Sequence, residues 1–252
     1  MFATFKNILK KVLPKDYKYK LHRLPAKLEK LGSEYGGWII PVDYINIESV
    51  CYLAGAGEDI SFDVAVAARF GCSVLIFDPT PRSKQHFEQV KKSALRGHPV
   101  AINNKPGTFY EITPETADHL QFEAIGIWKK KEVVKFYSPK DETHISHSIS
   151  NLQHTDKYFE ATVERLSSIM NRNNHGALDL LKLDIEGAEF DVIDSIVEDE
   201  IPIKILCIEF HPNEGKNRVQ AAITKLENYG FAVVAREGLD FTFLNRSFIK
   251  KK

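Results

Sequence analysis

Four polar residues stand where apolar, strand-like runs stop: Asp184 and Glu186 just past Leu180–Leu183, and Glu209 and His211 at the end of Ile203–Phe210. Acids beside an imidazole can take up a proton and stabilise the imidazolium that results. Histidine titrates near neutrality, and neighbouring carboxylates raise its pKa. His211 is therefore the candidate general base, with Glu186 and Glu209 as its candidate catalytic partners. Side chains alternate along a strand, so Glu209 and His211 are expected on one face. Asp184 and Glu186 share a face if their strand extends that far. The same four residues could also hold Mg²⁺ or Mn²⁺. No motif spacing singles out that use, and a metal is not the preferred reading. Glu186 and Glu189 have a plainer role open to them, favouring the N-terminus of the next helix.

A second constellation lies upstream. Cys51–Ile60 reads as a buried strand running into a glycine turn, and Ser73–Asp78 as a second buried strand ending on an acid. Glycines let a backbone approach a nucleoside cofactor, and an acid about twenty residues later can accept hydrogen bonds from its ribose hydroxyls. Gly55, Gly57 and Asp78 are the candidate cofactor residues on this reading. Ile60 stands where a dinucleotide fingerprint wants a small residue. Glu58 and Asp59 place carboxylates where a pyrophosphate prefers an unobstructed helix N-terminus. They suit the ammonium and sulfonium of S-adenosylmethionine better. A nicotinamide-dependent oxidoreductase is the alternative enzyme reading, disfavoured by these residues. Further on, His144, Ser146, His147 and Ser148 fall in a loop, where acceptors are commonly contacted. His144, His147 and Ser148 are the candidate substrate-binding residues; they lack metal-finger spacing.

The elements that must position these residues alternate. Val50–Leu53 and Ser73–Phe77 read as strands, and Ile60–Phe70 and Pro81–Leu95 as helices, with Gly71 as a helix stop. Phe122–Trp128 and Glu132–Tyr137 read as a hairpin turned by Lys129–Lys131, and Tyr158–Asn171 as a helix. Leu178–Ile185 and Ile203–Phe210 are strands around a helix at Ala188–Val197. After the helix Arg218–Tyr229, Phe231–Ala235 and Phe241–Leu244 are joined too closely for a parallel crossover, so they must pair antiparallel.

Composition excludes several classes. The 252 residues carry no formal net charge, which gives no electrostatic case for nucleic-acid binding. Three scattered cysteines make no disulfide framework. No apolar run approaches the ~18 residues needed to span a bilayer, and lysines interrupt the N-terminal apolar positions, so a cytoplasmic protein is expected. Residues 1–48 read as a basic helical extension and 49–252 as the main domain. Within the extension, residues 2–13 form an amphipathic pattern able to lie on an anionic membrane or to pack on a protein surface. A non-catalytic membrane-surface module is the non-enzyme alternative.

Leu180-Leu-Lys-Leu-Asp-Ile-Glu-Gly-Ala-Glu189 resembles the signature of FkbM-type S-adenosylmethionine-dependent methyltransferases. Leu53–Asp59 and Phe77–Pro81 resemble the first two motifs of that group. The chain departs from the usual pattern in having no acid in the first strand. The resemblance spans roughly residues 50–245. It implies a Rossmann-like class I methyltransferase fold, a mostly parallel seven-stranded sheet with an antiparallel C-terminal hairpin. It also implies S-adenosylmethionine as methyl donor, held by Gly55, Gly57, Glu58, Asp59, Asp78 and Asp184, and O-methylation of a hydroxyl on a saccharide or small metabolite.

Overall fold

The computed structural model describes residues 17–24, 26–102, 107–137, 158–211 and 215–249. An antiparallel pair comes first, β1 (Leu28–Leu31) and β2 (Trp38–Pro41). Then follow β3 (Val50–Ala54), α1 (Ser61–Phe70), β4 (Ser73–Phe77), α2 (Pro81–Leu95), α3 (Pro114–Asp118) and β5 (Leu120–Glu123). Three strands form a separate small sheet: β6 (Gly126–Trp128), β7 (Glu132–Tyr137) and β8 (Tyr158–Arg165). The chain continues through α4 (Leu166–Arg172), β9 (Leu178–Leu183), α5 (Glu189–Glu198), β10 (Ile203–Glu209), α6 (Lys216–Tyr229), β11 (Phe231–Glu237) and β12 (Asp240–Asn245).

Among the described residues the main sheet has seven strands in the order β11-β12-β10-β9-β3-β4-β5. β5, β4, β3, β9 and β10 run parallel, and β12 runs antiparallel to both β10 and β11. The central strands are almost wholly apolar because helices cover both faces. Alternate residues serve opposite layers. Tyr52, Ala54, Leu75 and Phe77 pack toward α4, α5 and α6 with Ile169, Phe190, Ile193 and Ile223. Cys51, Leu53, Val74 and Ile76 pack with Phe62 and Val66 of α1 and Val90 of α2. The winding reverses between β3 and β9, and at such a switch point a crevice opens beyond the carboxyl ends of the strands.

Helix ends follow local chemistry. Gly71 adopts φ 61° and closes α1 with its N–H on Ala67 O. Thr80 caps α2, and Pro81 occupies the position where a missing N–H costs nothing. Cys51, Cys72 and Cys207 are buried free thiols, as three scattered cysteines suggested.

Three expectations are corrected. The extension is not helical over residues 28–41. Gly32 takes φ +91°, and a β-carbon on Gly37 would lie 2.4 Å from Ser33 O, so this stretch turns sharply into a hairpin. Leu31, Trp38 and Ile40 of that hairpin join Leu53 and Phe62 in one apolar cluster, so the core begins before residue 49. Residues 2–13 lie outside the described residues. Second, β6 and β7 do not pair. β8 lies between them, parallel to β6 and antiparallel to β7, with Val163 opposite both Gly126 and Glu132. Third, Tyr158–Arg165 is therefore strand rather than helix. Its aromatic and β-branched residues (Tyr158, Phe159, Thr162, Val163) satisfy two strand edges at once, which outweighs the helical spacing.

Candidate active site

The loop after β3 is fixed by contacts on three sides. Gly55 has φ +86°, and a β-carbon there would sit 1.8 Å from the carbonyl oxygen of Asp184. Only glycine fits. Gly57, at φ +55°, has nothing within 4 Å of the β-carbon position, so its requirement is conformational and the space beside it is open. The Asp184 N–H donates to Ala54 O at 3.2 Å and the Gly55 N–H to Phe77 O at 2.9 Å, which ties the loop to both neighbouring strands.

Asp78, buried at the end of β4, is the hub of this loop. Its Oδ2 accepts from the Ala56 and Gly57 N–H groups, each at 3.0 Å. Its Oδ1 accepts from Thr80 N at 2.8 Å and Thr80 Oγ1 at 2.6 Å. The carboxylate thus stands at the strand end where the sequence reading sets a ribose acceptor, and it holds the glycine loop.

Glu58 and Asp59 are committed elsewhere. Arg82 of α2 grips Glu58 through Nη2, at 3.0 and 2.9 Å from its two oxygens. Asp59 accepts from Ser33 Oγ at 2.7 Å and from Ser61 N at 3.0 Å, joining the β1–β2 turn to the start of α1. The sequence sets these two carboxylates to face a cation; in the structure Glu58 pairs with a guanidinium and Asp59 ties the β1–β2 turn to the start of α1.

Past β9 the chain makes a strained turn, with Glu186 at φ 54° and Gly187 at φ 103°. Glu189, the first residue of α5, closes that turn from inside. Its Oε1 accepts from Ile185 N at 3.0 Å, and its Oε2 from Gly187 N at 2.9 Å. The same Oε1 lies 2.9 Å from His211 Nδ1. On the other side of the ring, Nε2 is 3.5 Å from Glu186 Oε2 and 4.0 Å from Asp184 Oδ1. β9 ends at Leu183 and β10 at Glu209, so these residues converge from the loops that follow the strands, not from strand faces. Glu209 acts on the imidazole through its charge.

Burial alone would lower the His211 pKa, but the negative charges of Glu186, Glu189 and Glu209 and the Glu189 hydrogen bond outweigh it and hold the pKa well above the usual histidine value. That shift favours the protonated ring and disfavours His211 as a general base.

Two residues of the site escaped the sequence reading. Lys182 is buried in β9, its Nζ 2.6 Å from Gly55 O and 3.6 Å from Asp184 Oδ2. Asp63 is buried in α1, and its Oδ1 finds no partner among the described residues. Burial pushes the Asp63 pKa up to about 6, against the pull of the Lys182 charge. The signal was present: a lysine inside an otherwise apolar central strand, and an aspartate on the apolar side of a helix, each need a partner. His144, His147 and Ser148 lie outside the described residues.

The structure therefore gathers Gly55, Gly57 and Asp78 on one side, and Glu186, Glu189 and His211 on the other, with Asp184 and Lys182 between them. A doubly wound sheet with its glycine loop and strand-end acids at the switch point defines an α/β protein of the Rossmann-like methyltransferase kind. Residues 54–233 match the methyltransferase FkbM domain, and the chain belongs to that family of methyltransferases. No curated protein matches it. Among the described residues no helix is long and apolar enough to cross a membrane.

Proposed function

We propose that this protein is an S-adenosylmethionine-dependent O-methyltransferase acting on a hydroxyl of a saccharide or small metabolite. The observation that carries the reading is the convergence, beyond the carboxyl ends of the central strands, of the Asp78-braced glycine loop and the acid-enclosed His211, linked through Asp184. The residues fit such a donor. Open space flanks Gly57, and Asp78 stands at the strand end where ribose hydroxyls are taken. Asp78 would hold the sugar, Gly55 and Gly57 would line the amino-acid portion, and Asp184 would offer the negative charge that suits its ammonium.

When bound, S-adenosylmethionine supplies a methyl group on a positively charged sulfur. The chain's own part is to align an acceptor oxygen and remove its proton. Glu186, partly exposed beside the imidazole, is suited to take that proton. His211, held by Glu189, orients the acceptor oxygen by hydrogen bonding and balances the acids around it. Glu209 adds to the field that raises the His211 pKa. His144, His147 and Ser148 remain candidates for acceptor hydroxyls, and residues 2–13 for contact with an anionic membrane. The nicotinamide reading is not carried further, because the family is one of methyltransferases.

The test is transfer of isotope-labelled methyl from S-adenosylmethionine to a panel of hydroxyl-bearing saccharides and metabolites. Alkali-stable label on an ether oxygen is the expected result. Label on nitrogen, or in an alkali-labile methyl ester, would overturn the reading of a hydroxyl acceptor.

A further inference from the structure

We propose that Asp184, Glu186 and His211 form a divalent-cation site of the Mn²⁺ or Mg²⁺ class. This inference rests on the reading of the same cleft as a methyl-transfer site and adds to it how the acceptor is held. With the ion bound, Glu186 and one oxygen of Asp184 are ligands, and His211 gives up its Nε2 proton to become the third. The ion takes over from these side chains the holding and acidifying of the acceptor hydroxyl.

The donor set is mixed. One oxygen from each carboxylate and one ring nitrogen all lie within 4.8 Å of one another. The Nε2–oxygen separations are 3.5 and 4.0 Å. Neighbouring ligand atoms on an octahedral Mg²⁺-sized ion stand about 3 Å apart, so the three groups need to close by at most about 2 Å. Two oxygens and one imidazole nitrogen favour a hard or borderline ion over a thiophilic one.

Glu189 supplies the supporting shell. Its side chain has no exposed surface, it is pinned by the Ile185 and Gly187 N–H groups, and it lies on the Nδ1 side of His211. That leaves Nε2 aimed at Asp184 and Glu186. A metal-ligating histidine commonly gives its other ring nitrogen to a carboxylate in this way, which fixes ring orientation. The three ligands come from the ends of two neighbouring strands, and their side chains keep 20–32% exposure, so ions and water can reach them. A sealed ion pair would not need that access.

Three protein ligands leave about three positions of an octahedral shell open. An acceptor with two adjacent oxygens, such as a vicinal diol, would fill two of them. The cation would lower the pKa of the hydroxyl it binds. The site thus selects chelating acceptors over isolated alcohols.

The test uses the full chain, stripped with chelator, and Mn²⁺ alone. Loss of the free-ion paramagnetic resonance signal reports binding. One bound ion per chain is expected. Glu186→Gln and His211→Asn should each weaken it at least about tenfold, and Glu189→Gln by about 10–100-fold although it touches no ion. Glu186→Gln alters a partly exposed group, so it keeps the test valid if His211→Asn fails to fold. No binding up to about 1 mM, or binding indifferent to Glu186→Gln, would overturn the site and leave an ion-paired cluster only. The measurement contains no nucleoside. Failure of S-adenosylmethionine to bind in a separate titration would therefore sink the proposed function without touching this result.

Discussion

Gly55 and Asp184 approach so closely that a β-carbon on the glycine would lie 1.8 Å from the aspartate carbonyl oxygen. This contact locks the loop after β3 against the end of β9. It joins the cofactor side of the cleft to the acid–imidazole side, and Lys182 reinforces it from beneath through Gly55 O. Gly57 meets no such neighbour.

The two glycines should therefore respond differently to alanine. Gly55→Ala must displace backbone and is expected to cost more than about 3 kcal/mol of stability. Gly57→Ala faces only the positive φ penalty, about 1–2 kcal/mol. Urea denaturation of both variants checks this, and equal losses would mean that the β9 contact does not govern the loop.

Asp78→Ala removes the acceptor of two loop N–H groups and of Thr80. Stability should fall by about 1–3 kcal/mol, and S-adenosylmethionine affinity should fall further than acceptor affinity. Calorimetric titration of each ligand distinguishes the two effects. Unchanged cofactor affinity would remove Asp78 from the ribose site.

Glu189→Gln takes away one of the charges that raise the His211 pKa. In metal-free protein, the His211 ring should titrate well above the ordinary histidine value, and in the variant it should move down. A histidine with a raised folded pKa contributes stability that is full below its unfolded pKa and is lost as pH rises through the folded one. The stability difference between parent and His211→Gln should accordingly be largest in mild acid and vanish toward alkaline pH. Ring-proton NMR titration gives the first result, and denaturation across pH the second.

Asp63 carries a pKa of about 6, raised mainly by burial. The folded chain keeps its proton to higher pH than the unfolded chain does. The resulting stabilisation is complete below about pH 4 and is lost as pH rises through about 6. Asp63→Asn should flatten this slope and stabilise the protein at neutral pH by roughly 1–3 kcal/mol. A variant less stable than the parent at neutral pH would show that Lys182 depends on the Asp63 charge.

The parallel sheet and its closing antiparallel pair were legible because period and connection length leave few choices: apolar runs such as Ser73–Phe77 between helices, and too few residues between β11 and β12 for a crossover. The β6-β8-β7 sheet was not, because its order depends on which strand Tyr158–Arg165 pairs with, and helix and strand periods overlap over eight residues. At the site, spacing located Gly55, Asp78, Asp184 and His211. It could not show that Glu58 meets Arg82 across twenty-four positions of sequence, or that Glu189 turns inward to His211. Such pairings are set by tertiary contact. Lys182 was hidden inside the family signature, where its neighbours drew attention to the acids.

The most direct measurement is calorimetric titration of the full chain with S-adenosylmethionine and with its demethylated product, alongside NAD. Micromolar binding of both sulfur nucleosides, lost in Asp78→Ala, with no heat from NAD, is the predicted result. Binding of NAD in their place, or nucleoside binding indifferent to Asp78→Ala, would contradict the assignment of this cleft.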